Sequence, residues 1–494
     1  MRRLAPHCPE EYPLQPEAAS LVQNCTNRRI PSFGREERFG ATALARSGIR
    51  IPLCSTTSPA ASPRVKFAST SAFGAYGTPS LAPNVPARYL TQINDALIHE
   101  NGPGLAYLLR PTSPPGKALL KNLRAPTAAS LAHYKGSLAA PWDEIAIQYV
   151  LICTHIAHGR PVEAFKEHCQ LVSLFLRFFT ESKGWPLPAL FTILRDLRDL
   201  ADDADSHTPA NATEENEHKI SATHVMQKAF SCCMTDRTSP VEESRKWGVY
   251  YVASLIMKCY FKVKKISLTR NIIKALENNT DIPDLGQYPR SHQVTYRYYI
   301  GMIAFLNEDF VKAEKELTLA FYNCLTAAPK NQTRILAYLV PLRILRGHLP
   351  SEDLLARFPA LANLFVPFIA AIRAGDLAAF DDALAARETK LIELNLLLTL
   401  EKARELCLRV VFRRVWLAHE KSTRIAIASF HAGLRLSSGP GAEVEAEEAE
   451  CLVANMIYRG FIRGYISHEK QTVVLAATNA FPRVADRAAP FAMG

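Results

Sequence analysis

Apolar residues recur at helical spacing, almost without interruption, from Trp142 to about Leu436. Short breaks that contain glycine or proline divide this stretch, for example Gly159 to Pro161 and Gly347 to Pro350. Helices of about 15–20 residues joined by such short turns pack as antiparallel pairs. The pattern therefore predicts an all-α solenoid of stacked helix pairs.

One predicted helix pair carries the packing residues of a tetratricopeptide (TPR) repeat. Gly301, Ala304, Ala313, Leu317 and Ala320 hold the spacing of the small and large positions of that repeat. The small residues allow two helices to approach each other, and the leucine fills the remaining space. We therefore predict TPR-like repeats over residues 141–390.

The pattern after residue 390 is different. It predicts helices over 396–419, 425–436 and 444–458, and then two short strands around a polar turn at 468–471. Three helices followed by a β-hairpin are typical of a winged helix. We therefore expect a winged helix with a small β-hairpin wing over residues 391–482, followed by a tail over 483–494.

Residues 1–84 are rich in Pro, Ser, Thr and Arg, and no helical or strand period persists there. Such a segment buries too little apolar surface to offset its chain entropy, so we predict a disordered basic extension. The alternatives are a mitochondrial transit peptide, against which Glu36 and Glu37 argue, and an incorrect upstream extension of the reading frame. Residues 85–140 are predicted to hold N-terminal helices and a Pro/Gly-rich insertion.

Composition limits the classes of function. The formal net charge of +11 favours acidic partners such as nucleic acid. Eleven cysteines without any CxxC spacing argue against a disulfide framework or a zinc knuckle. The sequence contains no phosphate-binding loop, nucleophile elbow or HExxH motif, and no uncharged apolar run approaches the roughly 18 residues of a membrane span. We therefore expect a protein that is not an enzyme, with no cofactor, metal, small-molecule substrate or membrane partner.

Several short segments resemble a known family. They are Tyr298 to Met302, Asp309 to Glu314, Ala320 to Cys324, Tyr338 to Leu342, Arg346 to Pro350, Arg245 to Gly248, Leu452 to Gly460 and Gly464 to His468. Their order and spacing are similar to those of PCI domain-containing protein 2 and its fungal relatives. The resemblance covers roughly residues 88–482, with the PCI module at about 295–482, and implies a helical-repeat body capped by a winged helix.

The resemblance also implies a function. Members of this family are subunits of the transcription-and-export-2 complex, in which they bind a large scaffold subunit and a small acidic subunit shared with the proteasome lid. The complex couples transcription to mRNA export, so we expect the nucleus and the nuclear pore, with some protein in the cytoplasm. We also expect sequence-tolerant binding of RNA and DNA. Some relatives carry a signalosome-subunit name, so the alternative is a structural subunit of a signalosome-like or lid-like complex without nucleic-acid binding.

Two basic regions are candidates for nucleic-acid binding, because phosphate contacts need cations and base stacking needs aromatic rings. The first is a face of the predicted helix 396–419, for which a solvated helix face is the alternative. The predicted third helix begins with five glutamates, which repel phosphates, so the second candidate is the wing and its surroundings. The candidate residues are Lys402, Arg409, Arg413 and Trp416 on the helix, and Arg459, Arg463, His468 and Lys470 near the wing.

A third basic region is a candidate for binding the acidic subunit or the scaffold subunit. Its members are Lys258, Lys262, Lys264, Lys265 and Arg270. They surround Tyr260 and Phe261, and the alternative is an ordinary helix end, where lysines suit the helix dipole. Arg414 falls within the apolar arc of the helix 396–419, so we expect a buried paired charge or an interface residue there.

Overall fold

A computed structural model describes residues 85–123, 126–207, 216–237, 239–441 and 443–487. The predicted extension over residues 1–84 lies outside the described residues. Nineteen α-helices and one small sheet occupy the described ranges. None of these helices is both long and apolar enough to cross a membrane.

The first ten helices are α1 (Val85–Ile98), α2 (Gly102–Leu108), α3 (Pro114–Asn122), α4 (Ala128–Leu131), α5 (Trp142–Ala157), α6 (Pro161–Glu181), α7 (Leu187–His207), α8 (Glu217–Met234), α9 (Val249–Lys262) and α10 (Thr269–Glu277). The remaining helices before the sheet are α11 (Arg290–Leu306), α12 (Phe310–Asn323), α13 (Pro329–Leu345), α14 (Glu352–Arg357), α15 (Pro359–Ala374), α16 (Leu377–Glu393) and α17 (Leu397–Ala418). Consecutive helices pack in pairs, and α7, α9, α11 and α13 also lie side by side. The predicted all-α solenoid is confirmed.

The predicted Pro/Gly-rich insertion is partly helical. Helix α3 starts with Pro114 and Pro115, directly after Ser113 at the N-cap position. Proline is well tolerated there, because the first N–H groups of a helix have no partner within it. Two prolines that we interpreted as a loop signal therefore begin a helix.

The predicted TPR-like pair is the hairpin of α11 and α12. Ala313, Leu317 and Ala320 are fully buried on α12, and Gly301 faces them from α11. A Cβ atom at Gly301 would lie 2.7 Å from the Cγ atom of Leu317 and 3.3 Å from its backbone nitrogen. The absence of a side chain at Gly301 therefore sets how closely these helices approach.

Replacing Gly301 by alanine is expected to lower the free energy of unfolding by about 1–3 kcal/mol, because the new methyl group overpacks against Leu317. Urea denaturation would measure this change. Gly286 is the matched control, because a Cβ atom there would meet no atom within 4 Å. A loss at Gly286→Ala as large as that at Gly301→Ala would contradict this account of the hairpin.

The C-terminal part is a winged helix. Helix α17 is followed by β1 (Arg424–Ala426), α18 (Ile427–Ser437), α19 (Ala446–Tyr458), β2 (Gly464–Ser467) and β3 (Thr472–Leu475). The three strands form an antiparallel sheet in the order β1–β3–β2. The predicted start of the second helix at Ile425 is wrong, because Ile425 belongs to β1 and pairs with Val473. A three-residue strand is too short to show a period of its own.

Two hydrophobic cores lie along the chain, and α11 contributes to both. Ile300 belongs to the first core, which extends back to Tyr89. Met302 and Phe305 belong to the second core, which extends to Phe481 in the winged helix. The winged helix is therefore continuous with the last helical repeats through one shared core.

Candidate nucleic-acid interface

Helix α17 is the first helix of the winged helix and is anchored by its apolar face. Leu400, Cys407 and Phe412 are fully buried, and the ring of Phe412 packs edge-on against Phe430 of α18 at 5.4 Å. Leu417, which continues the helical spacing of Leu400 and Cys407, is 40% exposed. In the last turn, Val415 and Trp416 pack against the core, and Leu417 does not.

Lys402 is engaged with the neighbouring repeat. Its ammonium group forms an ion pair of 2.7 Å with Glu308, in the turn between α11 and α12, and lies 5.4 Å from the ring centre of Phe310. Its charge is therefore already balanced by a carboxylate.

Arg409 and Trp416 hold the segment that follows β3. The Arg409 guanidinium donates to the carbonyl oxygen of Pro482 at 2.7 Å and to that of Phe481 at 3.3 Å. The Trp416 ring packs against the Phe481 ring at 5.3 Å. Burial, together with the nearby charge of Arg413, lowers the pKa of Arg409. These side chains have structural partners, which the helical period alone did not indicate.

Arg413 is the member of the predicted stripe that is exposed and, within the described residues, has no hydrogen-bond or ion-pair partner. The stripe is therefore not a continuous row of free cations. Its role in nucleic-acid binding stays a prediction that rests mainly on Arg413.

The wing is fastened to α19, the predicted third helix. His468 pairs with Glu450 through a 2.8 Å contact, and the hydrogen bond with this carboxylate raises the pKa of His468. Arg459, at the end of α19, forms an ion pair with Glu405 of α17. Arg463 and Lys470 are exposed and have no ion-pair partner within the described ranges. Two of the four predicted wing residues are thus already neutralised by glutamates.

The outer face of the sheet carries a group that the sequence analysis did not bring together. Arg424 of β1 and Tyr465 of β2 both lie opposite Val474 of β3. Residues directly opposite in a sheet share a face, so all three side chains point the same way. This face points to solvent, because Arg424 is exposed and Tyr465 is 63% exposed. We call Arg424, Val474, Tyr465 and Arg463 the outer sheet face.

Arg463 lies directly before β2, and its carbonyl oxygen accepts a hydrogen bond from the N–H of Ala476, directly after β3. It lies two residues before Tyr465, so the alternation of a strand places the two side chains on the same side of the sheet. Arg424 lies on β1, two strands away from β2, and the axes of these two strands are separated by about 10 Å. Within the described residues, neither guanidinium group has a carboxylate partner. An exposed phenol ring on the same face as two unpaired arginines allows a nucleic acid to contact base and phosphates together.

The sequence named Arg463 but missed Arg424 and Tyr465. No sequence signal pointed to Arg424, because the three residues of β1 are too few to show an alternation. The register with β3 decides which residues share a face, and a single sequence does not specify it.

Comparison with known proteins identifies the family of this chain. Residues 378–476 match the PCI domain. Protein CSN12 homolog of Schizosaccharomyces pombe is 33% identical over 416 residues, which cover 80% of this chain and 97% of that protein. The chain belongs to the PCI-domain family. PCI domain-containing protein 2 of Xenopus laevis is 29% identical, with 80% of this chain and 97% of that protein covered. Protein CSN12 homolog of Neurospora crassa is 38% identical over 61% of this chain and 73% of that protein.

The matched PCI domain begins in α16 and ends directly after β3. It therefore contains α17, the wing and the whole outer sheet face. The second core reaches further back, to Met302. The start of the PCI module near residue 295 stays a prediction.

The basic region of this PCI protein at the end of α9 is only partly free. Lys262 forms an ion pair with Asp202 of α7, and Tyr260 is buried. Lys258 is half-buried without an ion pair in the described part of the chain, and burial, with the charges of Arg198 and Lys262, lowers its pKa. The other members, Lys264, Lys265 and Arg270, are exposed. Partner binding at this region stays a prediction.

Arg414 is not a buried charge, so that alternative is wrong, whereas an interface role of Arg414 stays a prediction. It is exposed, and its guanidinium donates to the backbone carbonyl oxygens of Ala374 and Arg373 at the end of α15. These carbonyl groups lack partners within their own helix, and a cation there also suits the helix dipole. Arg414 therefore caps α15 within the PCI module.

Proposed function

We propose that this chain is a non-enzymatic scaffold subunit of the transcription-and-export-2 complex, in the nucleus and at the nuclear pore. In this role it binds the large scaffold subunit and the small acidic subunit through its helical repeats. Membership of the PCI-domain family supports the scaffold role, and the relatives named PCI domain-containing protein 2 support the export role. We further propose that the winged helix binds RNA and DNA without sequence specificity.

The outer sheet face carries the nucleic-acid proposal. Arg424 and Arg463 present unpaired guanidinium groups on the same face of the sheet as the exposed Tyr465. Unpaired cations bind phosphates of any sequence, and an aromatic ring stacks on any base. Helix α19 has the position of the helix that reads the major groove in many winged helices. Its first turn contains Glu447 and Glu448. Those carboxylates repel phosphates and favour sequence-tolerant binding at the sheet.

Reversing the charges in the double variant Arg424→Glu/Arg463→Glu is expected to weaken binding of a fluorescently labelled single-stranded oligonucleotide by about tenfold or more at low salt. The loss of two phosphate contacts should also reduce the slope of log affinity against log salt by about 1.4. Fluorescence anisotropy over a salt series measures both quantities.

The matched control is Arg160→Glu/Arg177→Glu, which changes the net charge equally at two exposed arginines on the repeats. The control should keep the wild-type salt slope. If both double variants lose affinity equally, binding follows net charge and the outer sheet face is not the site. Affinity of the wild-type chain that does not depend on salt would reject the electrostatic mechanism altogether.

The relatives named Protein CSN12 homolog favour a second candidate, a structural subunit of a signalosome-like complex without nucleic-acid binding. Affinity purification of the tagged chain distinguishes the two. Recovery of an export scaffold with a small acidic subunit supports the first candidate, and recovery of signalosome subunits supports the second.

A further inference from the structure

A cavity of about 570 Å³ opens between the turn before α7, the segment before α9 and the start of α11. Its volume lies within the usual range of ligand sites, about 300–1,000 Å³. Four aromatic side chains line it: Trp185, Phe191, Trp247 and His292. The cavity lies in the repeats, outside the matched PCI domain, and no part of the proposed nucleic-acid interface belongs to it.

The aromatic walls are fixed before any ligand arrives. The indole N–H of Trp247 donates to the carbonyl oxygen of Val241 at 2.6 Å, and its ring packs against Tyr288 at 5.0 Å. The rings of Phe191 and His292 meet edge-on at 5.6 Å. A ligand that stacks on these rings therefore needs little reorganisation of the protein.

The cavity has the opposite charge to the chain as a whole. Three glutamates and one lysine line it, Glu100, Glu242, Glu243 and Lys183, so its net charge is negative by two. The chain carries a formal charge of +11. Lys183 pairs with Glu243 at 2.7 Å, and within the described residues Glu100 and Glu242 form no ion pair. Glu100 also attracts the Lys183 ammonium group, so Glu242 is the carboxylate most available to a cation.

His292 adds an unused polar atom to the wall. Its Nδ1 atom is buried and has no hydrogen-bond partner within the described part of the chain. Burial lowers the pKa of His292, so the ring is neutral near pH 7. A neutral imidazole offers its aromatic face to a cation and does not repel it.

We propose that this cavity binds an arginine side chain of a partner polypeptide. A guanidinium group is planar, stacks on aromatic rings and forms paired hydrogen bonds with carboxylates, and this cavity offers both kinds of contact. The same carboxylates repel phosphates, which separates this site from the outer sheet face. The repeats would thus hold a basic segment of a protein while the winged helix remains free.

A labelled peptide of alternating glycine and arginine tests the proposal by fluorescence anisotropy with the full chain. Glu242→Gln is expected to weaken binding by about tenfold, because a charge-assisted hydrogen bond is lost. Trp185→Leu should weaken it by a similar factor. Glu388→Gln, at an exposed glutamate on α16, is the matched control and should leave the affinity unchanged. Thermal melting checks that each variant is folded.

Two further peptides identify the recognised group. A peptide with citrulline in place of arginine keeps the shape and loses the charge, so it should bind at least about tenfold more weakly. The affinity of a lysine peptide should lie between those of the arginine and citrulline peptides, because an ammonium group stacks less well on aromatic rings than a guanidinium group does. Equal binding of the citrulline peptide, or equal affinity of Glu242→Gln and Glu388→Gln, would overturn the proposal.

Discussion

Replacing Asp236 by alanine is expected to lower the free energy of unfolding by about 3–5 kcal/mol. Asp236 is only 1% exposed and accepts hydrogen bonds from the backbone N–H of Arg245 and from the Ser244 hydroxyl. The Arg245 guanidinium lies 3.5 Å away and donates to the carbonyl oxygen of Phe179 at the end of α6. Without the carboxylate, a buried guanidinium keeps its charge and loses its counter-ion.

Chemical denaturation measures the loss at Asp236, and Asp381→Ala is the matched control. Asp381 pairs with Arg404 at the surface, where a lost ion pair costs about 1 kcal/mol or less. Equal losses of unfolding free energy in the two variants would mean that the buried pair stabilises the protein no more than a surface ion pair does.

Acid unfolding provides a second readout. Burial raises the pKa of the Asp236 carboxyl, but the N–H of Arg245 and the hydroxyl of Ser244 outweigh it and hold the pKa well below its usual range. A depressed pKa in the folded state contributes stability above the unfolded value of about 3.9, and this contribution is lost as the pH falls. Asp236→Asn should therefore unfold with a weaker dependence on acid pH.

Truncating Phe412 to alanine is expected to destabilise the winged helix by about 3–5 kcal/mol, because it leaves a cavity in a fully buried position. Phe412 contributes to the contact between α17 and α18, where its ring meets Phe430 edge-on. Chemical denaturation gives the size of the loss. Amide hydrogen exchange in α17, α18 and the sheet should be faster in Phe412→Ala than in the wild-type chain.

Leu417→Ala on the same helix is the control for Phe412→Ala. Leu417 is 40% exposed, so its truncation should cost about 1 kcal/mol or less. A similar cost for both variants would show that the contact between α17 and α18 does not anchor the winged helix.

The sequence predicted the helical repeats and the order of elements in the winged helix, because long apolar periods are a strong local signal. The close approach at Gly301 also followed from residue size and spacing. Strand β1 could not be predicted, because its three residues form a strand only through pairing with β3, almost fifty residues later in the chain.

The candidate interface was harder to predict than the fold. Their charge and their position on the helix made Lys402 and Arg409 candidates for phosphate binding. In the structure, Lys402 pairs with Glu308, and Arg409 donates to carbonyl oxygens after β3. These partners are distant in sequence, so no local pattern reveals them. Arg424 and Tyr465 come together for the converse reason, since only the sheet register places them on one face.

Helix α11 determines where the protein can be divided. Ile300 belongs to the N-terminal hydrophobic core. Met302 and Phe305, less than two turns away, belong to the C-terminal one. A fragment that starts after this helix leaves the C-terminal interior open to water, and one that stops before it does the same to the N-terminal interior. A cut at residue 378, where the matched domain begins, would also separate Phe380 from Phe368, whose rings lie 5.2 Å apart. Fragments intended to fold alone should therefore both retain residues 290–306.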